Sequence, residues 1–448
     1  MEIEDLQTID QRSSLETDLC IVGTGPAGWA IAEALRDSGL KILMLESGGL
    51  HFEKEAGALN EIDDVGVRLA NGRDRQLGGT THSWAGRCAA FDDIDYEARP
   101  WVPLSGWPFG AEALAPYLNR ACEHLGGGSY RQDGRASVPG NTVKRPNLDP
   151  ALLRIVSWQF SQDVANPKES IRLGRHYSAL RNPDLRILAH ATVTSLNTTP
   201  SNDRIESVEV ADPHGRRTTV RAEAVVLCAG GVENARILLY SNRAKPSGIG
   251  NDHDLVGRYL LDHPRDPEMI VRFDARDVAR IRGLFGPYRL DSARGRHVFY
   301  DGVALSRDRQ RRDGLLNCAA WPFEVWAADD PVEAMKRLVA GPRTQAVRDA
   351  ASVASQPGLM LRALHGRLMR GEAAGHKVDR IGFLATTEQR PDPDSRVRLG
   401  SRRDRLGLPV AEVNWRINAQ DRDSMAALAK SIASEFQRLG LLAAQLAP

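Results

Sequence analysis

The tightest constraint on this chain lies at residues 18–28, Asp18-Leu19-Cys20-Ile21-Val22-Gly23-Thr24-Gly25-Pro26-Ala27-Gly28. An apolar run ends there in three glycines at G-x-G-x-x-G spacing. A helical pattern follows, with Ala30, Ile31, Ala34 and Leu35 on one face. A second apolar run, Lys41 to Leu45, ends at Glu46. This order predicts strand, tight turn, helix, strand, the opening unit of a dinucleotide-binding α/β domain. Gly23 permits the turn, Gly25 lets a pyrophosphate approach the backbone, and Gly28 lets the helix pack against the strand. The N–H groups at the helix start then face the phosphates. Glu46 follows at about the 20-residue distance where a carboxylate accepts from both hydroxyls of an adenosine ribose. It would repel a 2′-phosphate, which disfavours NADP. A lone fingerprint also fits a glycine-rich turn in an unrelated α/β domain, but here strand, helix and acid are all present. It does not separate FAD from NAD.

A chain of 448 residues has room for two or three domains. With 42% hydrophobic and 26% charged residues its composition is that of a soluble globular protein. A net charge of +1 gives no field that would draw it to nucleic acid or a membrane surface. The start, Met1-Glu2-Ile3-Glu4-Asp5, is acidic and lacks the basic and apolar regions of a signal peptide. No run approaches the ~20 apolar residues that span a bilayer. The five cysteines (Cys20, Cys88, Cys122, Cys228, Cys318) are scattered and form no C-x-x-C. They suggest neither a zinc site nor a disulfide framework, and a cytoplasmic location is expected.

Residues 1–17 read as a polar lead-in, and residues 50–76 as a loop over the bound nucleotide. Then comes Gln76-Leu77-Gly78-Gly79-Thr80-Thr81-His82-Ser83-Trp84-Ala85-Gly86-Arg87-Cys88. Paired glycines, hydroxyls and an aromatic suit backbone pressed against a flat ligand; an ordinary glycine-rich loop looks the same. Ser105-Gly106-Trp107-Pro108-Phe109 precedes a helical pattern over Ala111 to Leu125. Arg186 to Leu196 gives short strands. Glu206 to Val210 and Thr218 to Val220 form a hairpin around Pro213-His214-Gly215. Ala224 to Arg236 is a buried strand running into a helix through Ala229-Gly230-Gly231. Residues 331–372 are helical and basic. Such a stretch can dock on a membrane or partner but is more often a solvated face, and interrupting acids favour the latter here. Strands are expected near 381–389, 397–400 and 409–417, with a last helix from about Ala419 to Gln445.

The fingerprint, the Leu-Gly-Gly-Thr loop with Trp-x-Gly-Arg-Cys, and Ser-Gly-Trp-Pro-Phe occur in that order. Together they resemble the glucose–methanol–choline (GMC) flavoprotein oxidoreductases. The nearest subgroup in appearance is the bacterial alcohol and sugar dehydrogenases that also resemble pyranose oxidase. Val256-Gly257-Arg258-Tyr259-Leu260-Leu261-Asp262-His263-Pro264 continues the likeness. The resemblance implies an FAD-binding Rossmann-like domain built from discontinuous segments, 15–91 and 185–266. An α+β substrate domain on an antiparallel sheet, 92–184 and 267–448, would complete it. It implies cofactor contacts from Gly23, Gly25, Gly28, Glu46, Gly78, Gly79, Thr80, Ser83, Trp84, Val193, Ala229, Gly230 and Asn234, with no metal.

The family's catalytic histidine and its partner lie beyond the helix that closes this chain, so that pair maps onto no position here. Hydride transfer from an alcohol carbon needs a base for the hydroxyl proton. Pyranose-oxidase-like members tether flavin through a histidine in Ser-Thr-His-Trp. Here the order is Thr-His-Ser-Trp, which leaves His82 a weak candidate for tether or base and equally a loop histidine bonded to backbone. Three readings stand. The first is an FAD-dependent alcohol or sugar dehydrogenase, with a second polypeptide supplying the missing segment or an unconventional base. The second is a catalytically incomplete relative with an assembly or regulatory role. The third, an NAD-dependent reductase, is opposed by the Leu77 to Cys88 loop and by Ala229-Gly230. There is no G-x-S-x-G elbow for hydrolysis.

Overall fold

The computed structural model describes residues 2–9, 14–69, 72–128, 145–166, 169–265, 271–273, 277–292, 295–341, 343–365, 375–441 and 443–446. Three sheets organise them.

The first has seven strands, in the order Glu2–Asp5, Leu185–Ala189, Ile42–Leu45, Leu15–Val22, Arg217–Leu227, Ile205–Ala211, Thr192–Thr198. Its first five strands run parallel. The remaining pairings are antiparallel. A parallel sheet needs cover on both faces, and the continuous apolar runs supply it. Cys20, Val22, Leu43 and Leu45 enter one core cluster, while Leu19, Ile21, Ile42 and Met44 enter another. Helix Pro26–Ala34 lies in the second cluster through Trp29 and Ala32.

The second sheet is antiparallel. Its path runs Ala443–Leu446, Val271–Phe273, Val378–Thr387, Cys318–Trp326, Gly295–Leu305, Leu153–Phe160, Arg87–Cys88, and Tyr288–Ser292 pairs with Gly295–Leu305. Val303, Leu305, Ala320, Ile381 and Phe383 point to one face, where helices Val278–Phe285 and Ala419–Arg438 cover them. Phe285, Phe383 and Phe436 form a ring cluster there, with centroids 5.3–5.5 Å apart. The third sheet joins Arg396–Arg403, Pro409–Asn414 and Ile62–Asp64. It packs on helix Gly231–Tyr240 through Val232, Ala235, Val397, Ala411 and Val413.

Several segments fall outside their expected places. Glu2–Asp5 is an edge strand paired to Leu185–Ala189, not a polar lead-in. An edge strand buries little, so its acidic sequence gives no alternation to read. Ile171, Leu173, Tyr177 and Leu180, expected with the substrate domain, pack into the core under the first helix. Likewise 396–414 returns to the nucleotide-binding side by pairing with Ile62–Asp64. The last helix stops at Arg438 rather than near 445, because Gly440 turns left-handed at φ 71°. Within 331–372 the helices are Pro331–Ala340, Ala346–Ser355 and Pro357–His365; residues 366–372 lie outside the described residues. No helix among the described residues is long and apolar enough to cross a membrane.

Candidate functional site: a cleft over the first glycine turn

The carboxyl ends of the parallel strands open into a cleft of about 760 Å³. Gly23, Thr24, Gly25, Pro26 and Ala27 line it from the turn, and Glu46 and Ser47 from the end of the next strand. Ala191, Thr192, Val193 and the Ala229–Asn234 turn complete that side. This is where open α/β sheets hold ligands. Gly79, Thr80 and Leu260–Asp262 close it from opposite.

The three fingerprint glycines differ in what surrounds them. A methyl on Gly28 would stand 2.2 Å from the Gly23 carbonyl oxygen, so this glycine sets the helix–strand approach. Gly23 has φ 104°, and a methyl there would meet the Cys228 carbonyl oxygen at 2.6 Å. Gly25 has ordinary φ −69°, and a methyl on it would meet nothing within 4 Å. Its space is open on the cleft side, as a cradle for a ligand requires. Gly230 is likewise open at φ 84°.

Thr24, the residue between the first two glycines, ties the parts together. Its hydroxyl donates to the Glu46 carboxylate and accepts from the Gly78 N–H at 3.1 Å. Its own N–H donates to Glu46 at 3.3 Å, and its carbonyl accepts from the Tyr177 hydroxyl at 2.6 Å. The Gly48 N–H adds a third donor to Glu46 at 3.1 Å. Burial raises the Glu46 carboxyl above its usual range, and Thr24, Gly48 and Arg75 work against that. Nothing in the sequence singled out Thr24, since its role depends on a loop 54 residues away.

An ion network in the cleft wall also escaped the sequence reading. Arg75 pairs with Glu233 at 2.9 Å, and Arg236 with Glu233 at 3.2 Å and Asp404 at 2.6 Å. Burial opposes ionisation of Glu233, yet Arg75 and Arg236 bring its carboxyl below the usual range. Arg73, Asp74 and Arg75 line the cleft from the irregular loop expected to lie over the nucleotide.

Among the sequence-based site residues, Gly23, Gly25, Glu46, Gly79, Thr80, Val193, Ala229, Gly230 and Asn234 line the cleft. Asn234 spends its side chain inside the turn, accepting from the Ala229 N–H and donating to the Leu227 carbonyl. Gly28, Gly78, Ser83, Trp84 and His82 are not in the lining. Gly78 sits behind the loop against Gly174. Ser83 is exposed, and Trp84 turns into the core with its N–H on the Ile171 carbonyl at 3.2 Å. His82 bonds through Nε2 to the Leu77 carbonyl at 2.9 Å. The described lining contains no histidine.

Asp330, Glu333 and His376 come within metal-binding reach of one another elsewhere. Asp330 there accepts from the backbone of Glu333 and Lys377 and pairs with His376, while Glu333 takes Lys336.

Residues 161–265, which include the strands and turns on the far side of the cleft, match the family model described as GMC oxidoreductase. The chain is 25% identical to 2-methyl-1,2-propanediol dehydrogenase of Mycolicibacterium austroafricanum, over 56% of each protein. It is 26% identical to paromamine 6'-oxidase of Streptomyces fradiae, over 54% of this chain and 53% of that one. The chain therefore spans about half the length of these curated relatives. A longer match, 26% identical over 92% of this chain and 82% of the relative, is to the fructose dehydrogenase large subunit of Gluconobacter japonicus. Among solved structures, pyridoxine 4-oxidase from Mesorbium loti superposes with TM-score 0.53 at 15% identity, over 94% of this chain and 81% of that one. Formate oxidase superposes with TM-score 0.52, also at 15% identity, over 95% and 82%. The family match lies on cleft-forming segments, and over residues 161–265 the chain is similar to the GMC oxidoreductases.

Proposed function

We propose that this chain is an FAD-dependent oxidoreductase acting on a CH–OH group of an alcohol or sugar-like substrate. The observation that carries the reading is the open cradle at Gly25, between two packed glycines and tied to a buried acid. The residues present fit the group. Gly23–Ala27 and the start of the first helix suit a pyrophosphate, and Glu46 suits the ribose. The Ala191–Val193 backbone suits the adenine edge, with Gly79 and Thr80 as roof. Gly28, Gly78, Ser83 and Trp84 then act behind the cofactor, by shaping the turn and the roof. When bound, FAD supplies the hydride acceptor. The chain must orient the C–H bond, exclude water and take the hydroxyl proton, a service typically worth ~10²–10⁴-fold.

His82 is held on a backbone carbonyl and His263 is exposed, so neither is assigned as base. A second reading is a subunit that works with a partner chain. One relative is named as a large subunit, which favours it. The unpaired cysteines support a reducing, cytoplasmic setting. The test is anaerobic mixing of the flavin-loaded chain with a panel of alcohols and sugars, following loss of visible flavin absorption. Bleaching by the chain alone supports the first reading. Bleaching only after a partner is added supports the second. A chain that takes up no flavin under any condition overturns both.

A further inference from the structure

The antiparallel sheet has two unlike faces. One is aliphatic and covered by helices. The other carries Trp158, Phe160, Tyr300 and Trp321. Trp158 meets Trp321 edge to face at 6.0 Å between centroids, and Phe160 meets Tyr300 at 6.2 Å. Two guanidinium groups rest on this aromatic floor. The Arg87 Cζ is 4.6 Å from the Trp321 centroid and 5.9 Å from that of Phe160. The Arg265 Cζ is 5.6 Å from the Trp321 centroid.

Two arginines at the cleft are ion-paired, Arg236 with Asp404 and Arg75 with Glu233, while Arg73 bonds to the Asn60 carbonyl. Among the described residues neither Arg87 nor Arg265 has a carboxylate partner. Instead each stands beside the other. Burial comes first in holding the Arg87 guanidinium below its ordinary pKa; the Arg265 charge adds to it and the Tyr300 phenol opposes it. Both side chains are exposed, so the two like charges standing side by side carry a solvent-screened cost that a counter-charge would remove. An oxyanion accepting from both forks relieves that cost, and Arg suits bidentate recognition of carboxylate or phosphate. The position also fits. Thr80 and Asp262 line the cleft, and Arg87 lies seven residues after the first and Arg265 three after the second.

We propose that Arg87 and Arg265 form an oxyanion-binding site on the face of Trp321, and that the substrate bears a carboxylate or phosphate held there. Calling the anion the substrate's rests on the oxidoreductase reading; the site itself does not.

The experiment is calorimetric titration of the flavin-loaded chain with acetate and, separately, inorganic phosphate in chloride-free buffer. Flavin absorption is recorded in parallel. Saturable binding of one of the two is expected. Arg87→Gln and Arg265→Gln should each weaken it about tenfold or more. Arg87→Lys should recover phosphate binding better than acetate binding, since the ammonium keeps the charge and loses the fork. Preference for acetate assigns a carboxylate, and preference for phosphate a phosphate ester. An unsaturable titration, or equal binding in both Gln variants at unchanged melting temperature, overturns the site. Binding heat with no shift of the flavin band overturns its assignment to the substrate side. A chain that binds anions as described yet holds no flavin overturns the oxidoreductase reading and leaves the site standing.

Discussion

At Gly23, Gly25 and Gly28 the same residue serves three separate purposes, and substitution separates them. Gly28→Ala drives a methyl to 2.2 Å from a carbonyl oxygen and is expected to destabilise the fold by about 1–3 kcal/mol. Gly25→Ala meets nothing, so its stability should stay within about 0.5 kcal/mol of the parent. Its dinucleotide affinity should nevertheless collapse. Thermal melting and FAD titration of the two variants check the pair. Thr24→Val removes one of the donors to the buried Glu46 and releases the Gly78 N–H. A cost of about 1–3 kcal/mol in stability is expected, measured by denaturant unfolding. Glu46→Ala should weaken FAD binding by about 1–3 kcal/mol, the worth of a hydrogen bond to a charged group. Equal affinity by titration would contradict its placement on the ribose.

The elements that were legible in the sequence are those whose pattern is local. The strand–turn–helix of residues 18–35 carries its glycines, its apolar period and its acid within one short stretch. The hairpin around Gly215 is marked by its turn, with φ 81° at the glycine. What escaped was decided at long range. Glu2–Asp5 is a strand because Leu185–Ala189 offers an edge, and Arg186 pairs with Glu4 at 2.7 Å. Tyr177 reaches the fingerprint from 153 residues away. The Arg87–Arg265 pair converges only when the antiparallel sheet closes.

His190 anchors that first edge strand, meeting Asp5 at 2.9 Å and Glu53 at 3.0 Å. Burial pulls its pKa down, but the Glu53 and Asp5 carboxylates outweigh that and leave it raised. A raised folded pKa gives stability that is fully present below the unfolded value of about 6.5 and is lost as pH rises through the folded one. The stability gap between the parent and His190→Asn, which keeps the left-handed backbone at φ 54°, should therefore shrink with rising pH. Melting curves across that range check the sign.

At the scale of the molecule, the cleft lies where the strand ends of the first sheet meet the loops at 69–80 and 260–262 and the start of helix Gly231–Tyr240. The ion network of Arg75, Glu233, Arg236 and Asp404 fastens helix Gly231–Tyr240 to the third sheet. Arg236 also donates to the Pro409 carbonyl at 2.7 Å. Arg236→Met would leave Asp404 without its cation and Glu233 with Arg75 alone, and a loss of about 3 kcal/mol is expected from denaturant unfolding. That variant should lose flavin together with fold, unlike Gly25→Ala.

The central claim is that an adenine–flavin cofactor lies over the turn opening the first helix, beneath the Gly78-Gly79 loop. Titrating FAD into the purified chain and into Gly25→Ala, with melting temperature followed on the same samples, tests it most directly. Saturable flavin uptake by the parent, lost in a variant that melts alongside it, is the expected outcome. Equal uptake by both, or none by either, would contradict it.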